Sequence, residues 1–203
     1  MKVVSIFSGI GGLDKGFESA GFDFCFANEW SQNIADNYKK NLPNVPIKVI
    51  SFRDINWDEV EDFDGVIGAP AIAPIHLKTP EGESSIIELY YELLEKKQPK
   101  FVAFGYDSSA VIQSDLFTPF IGGLLELYNL DYLVSIPRKK NVFYGIRKDL
   151  DDSKRPMVLS RNIFCEEEII VDDNDAVKKI LPQVIPVDLS YKIALAIKEK
   201  LKI

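Results

Sequence analysis

Histidine and cysteine are scarce in this chain: His76 stands alone among 203 residues, and the cysteines are Cys25 and Cys165. That scarcity excludes a zinc site at Cys/His ligand spacing and a disulfide-stapled scaffold. Cys25 alternates with Phe24 and Phe26 in an apolar run and is expected to be a buried core thiol, with Cys165 structural as well and both reduced. The acidic run Asp172-Asp173-Asn174-Asp175 lacks the central glycine and closing glutamate of a calcium loop, so it reads as the solvated start of a helix, and no metal is expected. Long hydrophobic runs are missing too. Nothing approaches the roughly 20 apolar residues of a membrane span. Met1-Lys2-Val3-Val4-Ser5 passes directly into a strand pattern, so neither a membrane anchor nor a secretory leader is expected, and the location implied is cytoplasmic. Positive charge is in deficit, with 24 Lys and Arg against 31 Asp and Glu and a net charge of −7. Independent binding to a polyanion draws on basic residues, so contact with DNA is expected to be weak or made through a partner. Pro137-Arg138-Lys139-Lys140 with Arg147-Lys148 is the one good basic cluster and reads as a turn between strands.

What is present is a regular alternation. Hydrophobic residues make up 46% of the chain, enough for one domain with a sizeable core. Strand patterns fall at 2–7, 22–27, 46–50, 63–67 and 100–104, followed by a pair at 131–136 and 142–146. Helical patterns lie between them at 13–20, 31–40, 83–97 and 115–128, and a last one covers 189–201. Ser31 and Ser84 are placed to cap two of these helices, and Ile87, Tyr90, Tyr91 and Leu94 form a core-facing stripe on the second. Strand and helix in alternation argue an α/β fold, a doubly wound and mostly parallel sheet with a hairpin at its edge. Residues 1–203 read as one domain, with a sheet core over 1–150 and a closing segment over 180–203.

One string carries more than the rest. Phe7-Ser8-Gly9-Ile10-Gly11-Gly12-Leu13 follows the β-branched run Val3-Val4-Ser5-Ile6 and precedes a helix with Leu13, Phe17 and Ala20 on one face. Strand, glycine turn and helix N-terminus together admit a ligand close to the backbone. Glu29 follows at the spacing of a carboxylate that holds ribose hydroxyls. The string resembles the first signature motif of the DNA cytosine-5 methyltransferases, and the resemblance implies the class I S-adenosylmethionine-dependent methyltransferase fold. By the same resemblance S-adenosylmethionine, or S-adenosylhomocysteine, is bound by Phe7, Gly9, Gly11, Gly12 and Leu13. Glu29 then holds the ribose, Trp30 stacks on the adenine, and Asp54-Ile55 matches the motif that meets the adenine amino group. Pro70 lines the pocket, and Gln183-Val184-Ile185-Pro186 is similar to the motif that folds back over the cofactor, with Val184 in contact.

The catalytic half of the pattern departs from the family. After the strand Asp64-Gly65-Val66-Ile67 the chain reads Gly68-Ala69-Pro70-Ala71-Ile72, and Ile72 stands where the family carries its nucleophilic cysteine. An isoleucine has no lone pair to attack a pyrimidine ring. The motif that supplies a glutamate to the target base is represented by Gly105-Tyr106-Asp107, with a shorter carboxylate displaced along the chain. The stretch from Leu150 to Leu181 is too short for a separate target-recognition region of the kind base flipping requires. The reading that follows is a family homologue that keeps the cofactor site, has no catalytic residue of its own, and acts as a regulatory or partner subunit. Its partner would be an active methyltransferase or another restriction-modification component. The alternative is an active methyltransferase on a different acceptor, RNA or a small molecule, with His76, Tyr106 and Asp107 as candidate groups. His76 by itself reads as an ordinary loop residue.

Overall fold

A computed structural model describes residues 1–69, 86–107, 117–135, 140–151, 168–180 and 184–203. Strands β1 (Lys2–Ile6), β2 (Asp23–Glu29), β3 (Ile47–Val49), β4 (Gly65–Gly68), β5 (Phe101–Asp107), β6 (Tyr128–Ser135) and β7 (Lys140–Arg147) form one sheet in the order β3-β2-β1-β4-β5-β7-β6. The first five run parallel; β7 enters antiparallel to β5, and β6 pairs antiparallel with β7 at the edge. The helices are α1 (Gly12–Ser19), α2 (Gln32–Asn41), α3 (Ile86–Lys97), α4 (Phe117–Leu127), α5 (Asp175–Ile180) and α6 (Val187–Leu201). This is the doubly wound, mostly parallel α/β sheet expected from the strand and helix rhythm.

The alternation of side chains along each strand sorts the core into two layers. Val3, Ile67, Phe101 and Ala103 face one way, onto α1 and α6. Val4, Ile6, Val66, Val102 and Phe104 face the other way, onto Tyr90, Leu93 and Leu94 of α3 and Leu124 of α4. Helices α1 and α6 cross closely because Gly16 presents no side chain: a Cβ there would collide with Ser190 and the Tyr191 backbone nitrogen. Ser190 turns this close approach into a hydrogen bond, donating its hydroxyl to the Leu13 carbonyl.

Strand ends differ from the pattern, and for one reason. β6 starts at Tyr128, three residues before the strand pattern expected at 131–136, and β5 continues through Asp107 rather than stopping at 104. Pairing with β7 sets both limits, from Tyr128 opposite Arg147 to Asp107 opposite Lys140. Gly105-Tyr106-Asp107 is therefore strand backbone and not a loop beyond it. The buried Tyr128 hydroxyl donates to the Pro99 carbonyl at 3.0 Å, which anchors the turn out of α4. Cys25 corrects the expectation of a core thiol. It is half-buried near the start of β2, and burial with the neighbouring Glu61 pushes the thiol up to about 11. Ser31 precedes α2 in an extended conformation, but its side chain caps nothing. The acidic run does begin a helix: Asn174 Oδ1 accepts from the Val177 N–H at 2.9 Å, Asp172 pairs with Lys40, and Asp173 pairs with Lys178. Among the described residues no helix is long and apolar enough to cross a membrane.

Candidate functional site

Order reverses in the sheet between β1 and β4, the position where open α/β sheets leave a crevice at their carboxyl ends. A cleft of about 260 Å³ lies there, a little under the size range of small-molecule sites. Its walls come from the β1–α1 turn (Phe7, Ser8, Gly9, Ile10, Gly12, Leu13, Asp14), the end of β2 (Glu29, Trp30), Ile34 of α2, Ala69 after β4, and Val184-Ile185.

The turn has this shape because three of its residues take left-handed backbone. Gly9 has φ 57° and Gly11 has φ 91°, which glycine adopts without penalty, but Phe7 has φ 53°. A phenylalanine in that region costs on the order of 1–3 kcal/mol. Packing offsets it, since the Phe7 ring lies 5.1 Å from that of Phe52. At Gly12 a Cβ would collide with the Ile185 carbonyl and the Val184 side chain. The glycine there lets the segment before α6 close against the start of α1. Ile185 also fills the space above Gly105, where a side chain would displace it.

Glu29 is the best-defined ligand group. Its side chain is nearly buried, and three backbone N–H groups hold it: Trp30 at 2.9 Å and Ser31 at 3.0 Å on Oε1, and Gly9 at 3.2 Å on Oε2. A carboxylate offers about four acceptor positions, so one on Oε2 is left toward the cleft. Burial raises the Glu29 carboxyl above its ordinary value, and the N–H groups pull it back. Trp30 follows with 74% of its surface exposed, an unpacked indole on the rim. Together these fit a nucleoside: an acceptor for ribose hydroxyls beside a free aromatic face, under a helix N-terminus. S-adenosylmethionine, the cofactor expected from the sequence, carries such a nucleoside.

A second carboxylate lies in the wall, one that no motif in the sequence singles out. Asp14, in the first turn of α1, is fully buried. Ser5 Oγ donates to its Oδ1 and the Tyr38 hydroxyl to its Oδ2, both at 2.8 Å. Ser5 Oγ lies 3.0 Å from Ser8 Oγ, which in turn donates to the Asn28 carbonyl at 3.1 Å and accepts from the Asn28 N–H at 3.2 Å. Burial, the dominant influence, pushes Asp14 up to about 7 against the pull of its two hydroxyl partners. The one sequence signal was an acidic residue between apolar Leu13 and Phe17 on a helix whose N-terminal end is buried.

Of the expected cofactor residues, the structure brings Phe7, Gly9, Gly12, Leu13, Glu29, Trp30 and Val184 to the cleft. Gly11 stands behind it as the residue preceding α1, against Tyr38 and Leu42. Asp54 is exposed on a short 3-10 turn, Phe52–Asp54, and Ile55 is buried in the core beneath that turn; neither lines the cleft. Pro70, Ile72, His76, Cys165, Ser84, Gln183, Arg138 and Lys139 lie outside the described residues. Ile10, Ile34 and Ile185 are additions to the expected set.

A family model for C-5 cytosine-specific DNA methylase matches residues 1–104. The chain is 29% identical to the Type II methyltransferase M.NgoPII of Neisseria gonorrhoeae over 90% of its length and 60% of that protein's. It is 34% identical to the Type II methyltransferase M.FnuDI of Fusobacterium nucleatum over 75% of its length and 49% of that protein's. The chain thus spans about half to three-fifths of the length of these two relatives. Its fold is similar to that of a Spodoptera frugiperda DNMT2 variant, with a TM-score of 0.62 at 16% identity over 76% of this chain and 52% of that one. The match over residues 1–104 takes in the glycine turn, Glu29 and the strand leading to Ala69, and by it the chain belongs to the C-5 cytosine-specific DNA methylase family.

Proposed function

We propose that this chain binds S-adenosylmethionine without methylating cytosine itself, and serves as a partner or regulatory subunit for an active methyltransferase or another restriction-modification component. The reading rests on a contrast between the cleft and the sequence that follows β4. Glu29 is held by three N–H groups with an acceptor position left open. Meanwhile Ile72 stands in the sequence where the family's nucleophilic cysteine belongs. When bound, S-adenosylmethionine supplies an electrophilic methyl group on its sulfonium sulfur. The chain's own residues orient the nucleoside through Glu29 and Trp30 and exclude water with Ile10, Ile34 and Ile185. None of them offers a thiolate to activate a pyrimidine. The acidic balance of the chain supports a role in which DNA is held mainly by the partner.

Calorimetric titration with S-adenosylmethionine and S-adenosylhomocysteine, with Glu29→Ala as control, tests the cofactor half; binding by the wild-type chain, weakened about a hundredfold in the control, is the expected result. Transfer of labelled methyl groups to DNA tests the other half. The chain alone is expected to show none, and added to a complete family methyltransferase it is expected to change that enzyme's rate. Cytosine methylation by the chain alone would overturn the reading, and labelled RNA or small-molecule product would replace it with an enzyme of different acceptor.

A further inference from the structure

Asp14 has no part in the cradle just described, yet it is a carboxylate enclosed in the wall of the same cleft. Its surroundings are unusual for a structural carboxylate. Among the described residues no backbone N–H is bonded to it and no cation lies within ion-pair reach. Both its partners are hydroxyls, Ser5 from β1 and Tyr38 from α2. Glu18, one turn along α1, adds negative potential, and its own charge is offset by Lys15 at 3.2 Å. From α6, Ser190 bonds the Leu13 carbonyl rather than the carboxylate. From β2, Glu29 faces the Gly9 N–H.

Hydroxyl partners can turn around where N–H groups cannot. When Asp14 is ionised, Ser5 must donate to it, and Ser5 Oγ is then an acceptor for Ser8 Oγ at 3.0 Å. When Asp14 is protonated, it can donate to Ser5, and Ser5 can donate to Ser8 while Ser8 still donates to the Asn28 carbonyl. Either protonation state leaves a satisfied chain of bonds, so the site tolerates a change of charge without rearranging its atoms. What changes is a full negative charge in the poorly solvated wall of the cleft.

Resting on the cofactor reading above, we propose that Asp14 is a specificity-determining residue whose ionised carboxylate favours the cationic sulfonium cofactor over its neutral thioether product. A sulfonium centre gains from a buried anion with no competing cation, and a thioether of the same shape does not. Binding of the cation and ionisation of Asp14 are then linked, each promoting the other.

The test is calorimetric affinity for S-adenosylmethionine and S-adenosylhomocysteine from pH 5.5 to 8.5, on the wild-type chain and on Asp14→Asn. Asparagine keeps one acceptor for Tyr38 and one donor for Ser5, so it copies the protonated state. It also retains titration of Glu29 and of the ligands themselves, which cancels in the comparison. The expected result is that wild-type affinity for S-adenosylmethionine rises about tenfold more across this range than that of Asp14→Asn. S-adenosylhomocysteine is expected to show the same slope with both proteins. Equal slopes for S-adenosylmethionine would overturn the proposal. Should Asp14→Asn fail to fold, Tyr38→Phe removes one hydrogen bond to the carboxylate and is expected to move the transition to higher pH; an unmoved transition would overturn it. Neither ligand binding to the wild-type chain at any pH would instead remove the cofactor reading, and the proposal with it.

Discussion

Two carboxylates bound the same cleft, and they are held in opposite ways. Glu29, at the end of β2, is fixed by three backbone N–H groups that can only donate. Asp14, in the first turn of α1, is fixed by two hydroxyls that can donate or accept. The first arrangement offsets part of the cost of burying the charge with donors that cannot turn around, and it leaves an acceptor position on Oε2. The second resists the anion, because hydroxyls compensate less of the cost of burial, and it leaves the group titrating near neutrality. Backbone donors make a rigid binding group; side-chain hydroxyls make a switchable one. The difference can be sharpened by experiment.

The largest expected effect is on stability against pH. Asp14 is raised in the folded chain to about 7 from an ordinary value of 3.8. Between those values the folded state binds the extra proton, so the contribution of Asp14 to stability is fully present below about pH 4. It is lost as pH rises toward 7. Relative to Asp14→Asn, the wild-type chain is expected to lose on the order of 4 kcal/mol across that window. Urea unfolding of both proteins at pH 4.5, 6 and 7.5 measures it, and parallel curves would break the contrast with Glu29. Next in size, Glu29→Ala is expected to weaken S-adenosylmethionine about a hundredfold, ~2.7 kcal/mol, while leaving the pH slope due to Asp14 in place. A titration series at two pH values checks both parts.

A smaller effect is expected behind the glycine turn. Asn41 Nδ2 donates to the Ile10 carbonyl at 2.8 Å and to the Ile170 carbonyl at 3.0 Å, and its Oδ1 accepts from the Ile170 N–H at 2.6 Å. Asn41→Ala cuts the link between the turn and the stretch before α5, which Asn37 still holds, and removes the side-chain donor to the Ile10 carbonyl. It should cost about 2 kcal/mol, read as a lower urea midpoint with an unchanged slope. The smallest effect belongs to the half-exposed pair of Lys40 with Asp172 at 2.6 Å. Lys40→Ala is expected to cost roughly 0.5 kcal/mol or less, and that little is screened further by salt.

Much of the cleft was legible in the sequence because it is built from short-range grammar. A β-branched strand, glycines at the turn and an apolar helical face identify β1 and α1, and Glu29 stands at the end of the next strand. Asp54 and Ile55 were less well served: the structure puts one in solvent and the other in the core. Their placement depends on how the 3-10 turn packs Phe52 under Phe7, which no local periodicity records. Strand limits were misjudged at β5 and β6 because the partner strand, not composition, decides where pairing stops. Asp14 looked like an ordinary acidic residue near a helix start. Its significance lies in Tyr38, 24 residues on, and in burial from every side.

The order of strands and helices, the glycine turn, the position of Glu29 and the isoleucine at position 72 are all properties of the chain as a string. Each follows from residue type and near-neighbour spacing, where backbone sterics and hydrophobic alternation act directly. The closing of Val184 and Ile185 over Gly12 and Gly105, the Ser5–Asp14–Tyr38 chain and the tie from Asn41 to Ile170 belong to the folded molecule alone. They join segments up to more than a hundred residues apart. Desolvation, which sets the charge of Asp14, exists only once those segments have excluded water together.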